Sequence, residues 1–106
     1  MTQRIVLRPR ASQDLDEHFY YLSQHNRQAA LLFFDSTRST LAQIVRTPGI
    51  GSLYPVKNLR LQGLRRWAVK GFKNYLIFYF AREKEIEVAR ILYARQDIKS
   101  IFGKEE

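Results

Sequence analysis

Residues 64–93 read LRRWAVKGFKNYLIFYFAREKEIEVARILY, three strand-like runs in succession, and their reading decides the fold. Leu64 to Lys70 is the first run, closed by Gly71 to Asn74, whose Gly and Asn suit a hairpin turn. Tyr75 to Ala81 is apolar on both of its sides, as expected of a central strand. Ile86 to Tyr93 follows across the polar turn Arg82-Glu83-Lys84-Glu85. Strands joined by turns this short pair antiparallel.

Working outward, Arg4 to Arg8 alternates, with Ile5 and Leu7 on one side and Arg4, Val6 and Arg8 on the other, a period that suits a half-buried strand ended by Pro9. From Ser12 the period lengthens. Leu15, Phe19 and Leu22 form one helical stripe, Ser12 is the expected N-cap, and Asp14, Asp16 and Glu17 lie where the helix dipole favours negative charge. Gln24-His25-Asn26 reads as a turn with Asn26 capping a second helix, Arg27 to Arg46, whose inner side is expected to carry Ala30, Phe34, Leu41 and Val45 with Phe33 nearby. Thr47-Pro48-Gly49 stops it. So short a link makes the two helices an antiparallel hairpin. Residues 49–63 read as a loop, and Asp97 starts a short last helix with Ile98, Ile101 and Phe102. The expectation is one α+β domain over residues 1–106: an N-terminal strand, an antiparallel helical hairpin, a three-stranded antiparallel sheet and a short C-terminal helix. The helices are expected on one face of an antiparallel sheet.

With 106 residues, 45% of them hydrophobic, the chain is long enough for one modest core. It has no cysteine, which excludes disulfides and Cys-based zinc sites, and no apolar run long enough for a transmembrane helix or signal peptide. The expected location is the cytoplasm, with no membrane partner. Net charge is +8, and residues 57–82 hold seven cations (Lys57, Arg60, Arg65, Arg66, Lys70, Lys73 and Arg82) and no carboxylate. A field so concentrated attracts polyanions or acidic proteins.

Asp14-Leu15-Asp16-Glu17, Tyr21-Leu22, Asn26, Ala29-Ala30 and Phe33 resemble the helical hairpin of the RelE/ParE toxins of bacterial type II toxin–antitoxin pairs. Pro48 and Gly51, then Gly63-Leu64-Arg65, Val69, Tyr75, Ile77-Phe78-Tyr79, Ile86-Glu87-Val88 and Arg90-Ile91-Leu92 resemble that family's helix exit and sheet. The likeness spans roughly residues 3 to 102. It implies a toxin silenced by a cognate antitoxin, acidic and ParD-like, and a target that is either DNA gyrase, for the ParE branch, or the ribosome and its mRNA, for the RelE branch.

Cutting RNA needs a proton acceptor as well as cations, and arginine cannot accept a proton at neutral pH. Both histidines, His18 and His25, lie in the hairpin, and Tyr93 stands where many relatives end the last strand with His. The ending Arg90-Ile91-Leu92-Tyr93, Arg95, Asp97-Ile98 is closer to the ParE style. ParE-like gyrase inhibition without a catalytic site is the leading reading. The alternative is a ribosome-dependent mRNA endonuclease using Arg65, Lys70, Arg90 and Tyr93. Arg90 also reads as a buried structural arginine, with Asp97 as a possible partner.

Three residue sets follow. The target-binding basic surface is expected to be Arg65, Arg66, Lys70, Lys73, Tyr93 and Arg95. The antitoxin is expected on Phe19, Tyr20, Phe33 and Phe34, with its acids meeting Lys57 and Arg60. No metal and no cofactor are expected, since no second His or Cys stands at ligand spacing from His18.

Overall fold

The computed structural model describes residues 4–104; residues 1–3 and 105–106, the two ends of the expected domain, lie outside the described residues. In chain order these form β1 (Arg4–Leu7), α1 (Pro9–His25), α2 (Arg27–Arg46), β2 (Ser52–Leu53), a 3-10 turn (Leu59–Leu61), β3 (Arg65–Val69), β4 (Phe72–Ala81), β5 (Glu85–Tyr93) and α3 (Ile98–Lys104). The five strands of the described residues make one sheet in the order β1-β5-β4-β3-β2. The expected order of strand, helical hairpin, three antiparallel strands and closing helix is what the chain adopts.

Two points of the sequence reading are corrected. The sheet is mixed, because β1 runs parallel to β5 while the other pairs are antiparallel. It is also covered on both faces. The helical hairpin packs Ala11, Phe33, Leu41 and Ile44 against Val69, Ile77, Tyr79, Val88 and Ile91. On the reverse face Leu61, Leu64 and Phe102, from the loop and α3, pack against Phe78, Phe80, Ala89 and Leu92. The doubly apolar β4 has this second layer as its cause: Ile77, Phe78, Tyr79 and Phe80 are all buried, on alternating sides.

The helix ends differ from expectation in instructive ways. α1 starts at Pro9, not after Ser12. Proline at the first helical position loses no bond, since that N–H would be unpaired anyway, and its fixed φ is already helical. Ser12 instead donates its backbone N–H to the Arg8 carbonyl within the first turn, at 3.1 Å. Asn26 does cap α2, its side chain accepting from Ala29 N at 3.1 Å, and it alone separates the two helices.

The inner stripe of α2 is Ala30, Phe33, Thr37, Thr40, Leu41 and Ile44, so Phe33 and Phe34 exchange the places expected of them and Val45 is only half-buried. Apolar content alone misses this stripe, because two of its positions are threonine. Thr37 Oγ1 donates to the Phe33 carbonyl (2.8 Å), and Thr40 Oγ1 to the Ser36 carbonyl (2.7 Å), which lets both hydroxyls be buried. Thr40 Oγ1 also accepts from Lys70 N at 3.1 Å, fastening the β3–β4 turn to α2. That turn is the Lys70-Gly71 pair, tighter than the expected 71–74, with Gly71 at φ +80° and Val69 facing Phe72. A left-handed residue there favours glycine.

Candidate functional site

β1 pairs with β5 only as far as Leu7 opposite Val88, and the chain then turns into α1. Beyond Val88 the outer edge of β5 is covered by two side chains of α1. Asp14 Oδ2 accepts from Ile91 N at 3.0 Å, and His18 Nε2 lies 2.8 Å from the Ile91 carbonyl oxygen. A carbonyl only accepts, so His18 carries its proton on Nε2. Its ring also meets Phe33 and Tyr75 edge-on, so this histidine closes the sheet edge.

Arg90 reaches the same point. A bulge in β5 sets Arg90 opposite Phe78 and Val88 opposite Tyr79, leaving Ala89 as the extra residue. The alternation slips by one: Val88 and Ile91 share the hairpin face, and Leu92 moves to the reverse face. Arg90, 5% exposed, donates Nε to Asp14 Oδ2 (2.7 Å) and Nη2 to Asp14 Oδ1 (3.0 Å). Its partner is therefore Asp14 and not Asp97, whose carboxylate accepts from Ser100 N at 3.2 Å and caps α3.

Arg65 is held elsewhere. Its Nη1 donates to the carbonyls of Gly51 (2.6 Å) and Gly49 (3.4 Å), where the chain leaves α2. The buried Tyr79 hydroxyl completes this knot, donating to Pro48 O (2.7 Å) and accepting from Gly51 N (2.9 Å). Burial raises the Tyr79 phenol above its ordinary value, while the Gly51 hydrogen bond and the Arg65 charge pull it back. Arg66 lies on the other face, its guanidinium 5.8 Å from the Tyr54 ring.

Of the expected target surface, Lys70, Lys73, Tyr93 and Arg95 are brought to one end of the sheet. Lys70 is in the β3–β4 turn, Lys73 is near the start of β4, and Tyr75 pairs with Tyr93. A 2.7 Å bond from Ala94 N to Asn74 O ties the following loop to β4. The Tyr75 and Tyr93 rings meet at 5.0 Å. The Tyr75 phenol is pushed up by burial first, then by Tyr93 and Tyr21, so it stays neutral and cannot serve as a base at neutral pH. Arg65 and Arg66, at the other end of β3, are about 16 and about 13 Å from Lys70 by strand rise. The four residues of the endonuclease alternative thus do not converge: Arg65 and Lys70 occupy opposite ends of β3, and Arg90 turns to the far edge of β5.

The expected antitoxin surface also separates. Phe33 has no exposure and is a core residue, packed edge-on to Phe72 and tilted against Tyr75. Phe19 is half-buried against Phe34, their rings 6.0 Å apart. Outside stand Tyr20 (65% exposed), Tyr21 (58%), Leu32 (57%), Leu31 (50%) and Phe34 (39%). Tyr21, Leu31 and Leu32 were missed. The signal was present in Leu31-Leu32-Phe33-Phe34, since one helix face cannot bury four consecutive side chains. Lys57 and Arg60 do not share the hairpin's face. They belong to the segment that covers the reverse of the sheet, beside the exposed Leu59. Among the described residues no three His, Asp or Glu side chains gather as metal ligands, and no helix is long and apolar enough to cross a membrane.

Comparison with known proteins agrees with this architecture. A solved structure described as a chromosomal ParDE toxin–antitoxin system from P. aeruginosa matches with a TM-score of 0.71 at 16% sequence identity, covering 89% of this chain and 98% of that one. At that identity the likeness is one of fold. No curated protein sequence matches the chain. The family model for the ParE toxin of the type II toxin–antitoxin system, parDE, matches residues 5–98. The chain therefore belongs to the ParE toxin family of type II toxin–antitoxin systems.

Proposed function

We propose that this toxin acts by binding DNA gyrase, without a catalytic centre of its own, and is neutralised by an acidic antitoxin docked on the helical hairpin. The observation that carries the reading, beside family membership, is the use made of Arg90. Cleavage through a 2′-hydroxyl needs a base and mobile cations at the scissile phosphate. Arg90 is buried and held by Asp14 in a two-bond fork, and Arg65 is bound to two backbone carbonyls. Either would have to give up these bonds to approach Tyr93. What remains at the surface is a basic end with Lys70, Lys73 and Arg95, suited to an anionic or acidic partner.

The antitoxin reading rests on Tyr20, Leu31, Leu32 and Phe34, apolar side chains on the outside of two antiparallel helices, an arrangement that accepts an amphipathic segment. A partner reaching Lys57 and Arg60 as well would have to pass round a sheet edge, because those cations lie on the opposite face. The decisive experiment is a gyrase supercoiling assay with purified toxin. Dose-dependent inhibition relieved by the antitoxin supports the proposal. Normal supercoiling at saturating toxin, with messenger cleaved on translating ribosomes, would establish the endonuclease instead.

A further inference from the structure

We propose that the Tyr75 hydroxyl is a recognition donor of the target interface and bonds a carboxylate of the target enzyme. β4 carries two buried tyrosines on its hairpin face, Tyr75 and Tyr79, and they are used in opposite ways. Tyr79, with no exposure, donates to Pro48 O and accepts from Gly51 N, so its hydroxyl serves the fold. Tyr75 is 9% exposed, and its hydroxyl makes no hydrogen bond among the described residues. Its ring is nevertheless held from several sides: by Phe33 at 4.8 Å between centroids, by His18 and Tyr93 at 5.0 Å, and by Phe72 at 6.4 Å. Burial selects against a polar group fixed this firmly with nothing to bind.

This phenol stands at the rim of the hairpin layer. It is the first buried residue of β4, directly after the exposed Lys73 and Asn74. Burial raises its pKa, and the half-buried Tyr93 and the 58%-exposed Tyr21 are close enough to raise it further. At neutral pH the group is therefore an intact O–H, able to donate.

Its surroundings set the sign of the partner. Lys73 lies two residues before Tyr75, and Arg95 two residues after Tyr93, the residue paired with it; the bond from Ala94 N to Asn74 O joins the two segments. Lys70, Lys73 and Arg95 are exposed, and none forms an ion pair among the described residues. Residues 36–82 contain no carboxylate, and Asp97, the first one after Tyr93 in the chain, caps α3. The acceptor therefore comes from outside. A carboxylate only accepts, and it carries the charge these cations attract. The inference rests on the reading above, in which the target is a protein, and names one contact within it: an Asp or Glu side chain on Tyr75.

The test compares Tyr75→Phe with the wild type in gyrase supercoiling and in direct binding to the gyrase holoenzyme, with and without DNA. The substitution removes the hydroxyl and keeps the ring. Since that hydroxyl bonds nothing among the described residues, the melting temperature should hold or rise. Inhibition and binding should weaken about 10- to 100-fold, the loss of one hydrogen bond to a charged group. Tyr54→Phe, whose ring packs on the reverse face, should leave both unchanged. Antitoxin affinity, by calorimetry, should be the same in all three chains. Undiminished inhibition by Tyr75→Phe overturns the proposal. A lowered melting temperature does so too, because the hydroxyl would then serve the fold. A loss of antitoxin affinity would give the group to the other partner, and a loss confined to DNA-bound gyrase would make the acceptor a phosphate; either result overturns it. Normal supercoiling with wild-type toxin removes the functional reading and this contact together, whereas equal inhibition by wild type and Tyr75→Phe removes the contact alone.

Discussion

Removing the Asp14 carboxylate should be among the most damaging single changes available to this chain. Asp14→Ala leaves the Arg90 guanidinium 5% exposed and without the fork that neutralises it, and leaves Ile91 N without its acceptor. Breaking a buried ion pair from one side costs about 3 to 5 kcal/mol. An orphaned buried amide adds about 1 to 3 kcal/mol. Against a stability of about 0.05 to 0.15 kcal/mol per residue, about 5 to 15 kcal/mol for this length, the variant sits near the edge of unfolding. Arg90→Met should cost less. The carboxylate it strands keeps its bond to Ile91 N and has Arg10 at 3.9 Å, on the solvent side, to turn toward it. Urea titration of the wild type, both single variants and the double Asp14→Leu/Arg90→Met chain measures each cost. The expected order is Asp14→Ala worst, Arg90→Met intermediate, and the apolar pair near wild type. If Asp14→Ala costs under about 1 kcal/mol, well below the range for a broken buried pair, or if Arg90→Met proves the worse of the two, the reasoning is refuted.

Gly51→Ala would place a methyl group 2.8 Å from the Tyr79 hydroxyl and 2.9 Å from the Arg66 carbonyl, one of them rigid backbone. Thermal melting should show a loss of about 1 to 3 kcal/mol, the usual cost of overpacking, and Tyr79→Phe, which strands Gly51 N, should fall in a similar range. Glu87 has its pKa lowered from 4.5, first by the Arg8 hydrogen bond and then by Arg82, outweighing burial. Its contribution is thus present above pH 4.5 and lost as pH falls through the lower folded value; Glu87→Gln should melt with a weaker pH dependence across that window, and parallel curves would contradict the assignment. On the hairpin, Leu32→Ala and Tyr20→Ala should weaken antitoxin binding by calorimetry, by about 1 to 2 kcal/mol each if they are central contacts, with the melting temperature little changed. Phe33→Ala should instead unfold the chain readily, costing about 3 to 5 kcal/mol as a core deletion.

The order of elements was legible because each element repeats its own period: alternation in Arg4 to Leu7, an apolar β4, a helical stripe through Leu15 and Leu22. Asn26 and Asp97 announced their caps by chemistry that is local, a side chain answering an amide three residues on. What was misread in α2 came from the same rule applied too simply, since Thr37 and Thr40 are inward once their hydroxyls turn back to the helix.

By itself, then, the linear chain determined the α+β architecture, the concentration of cations between Lys57 and Arg82, and a likeness in motif order that the family match bears out. Only the tertiary structure decided which of Phe33 and Phe34 is core, that β1 lies parallel beside β5, and that Lys57 and Arg60 face away from the hairpin. It alone joined Arg90 to Asp14, 76 residues away. The physical reason is phase. Periodicity tells which face a residue takes while an element stays regular, and one extra residue at Ala89 shifts every side chain beyond it to the opposite face. Pairing across the fold is set by where packed elements come to rest, and no local pattern carries that information.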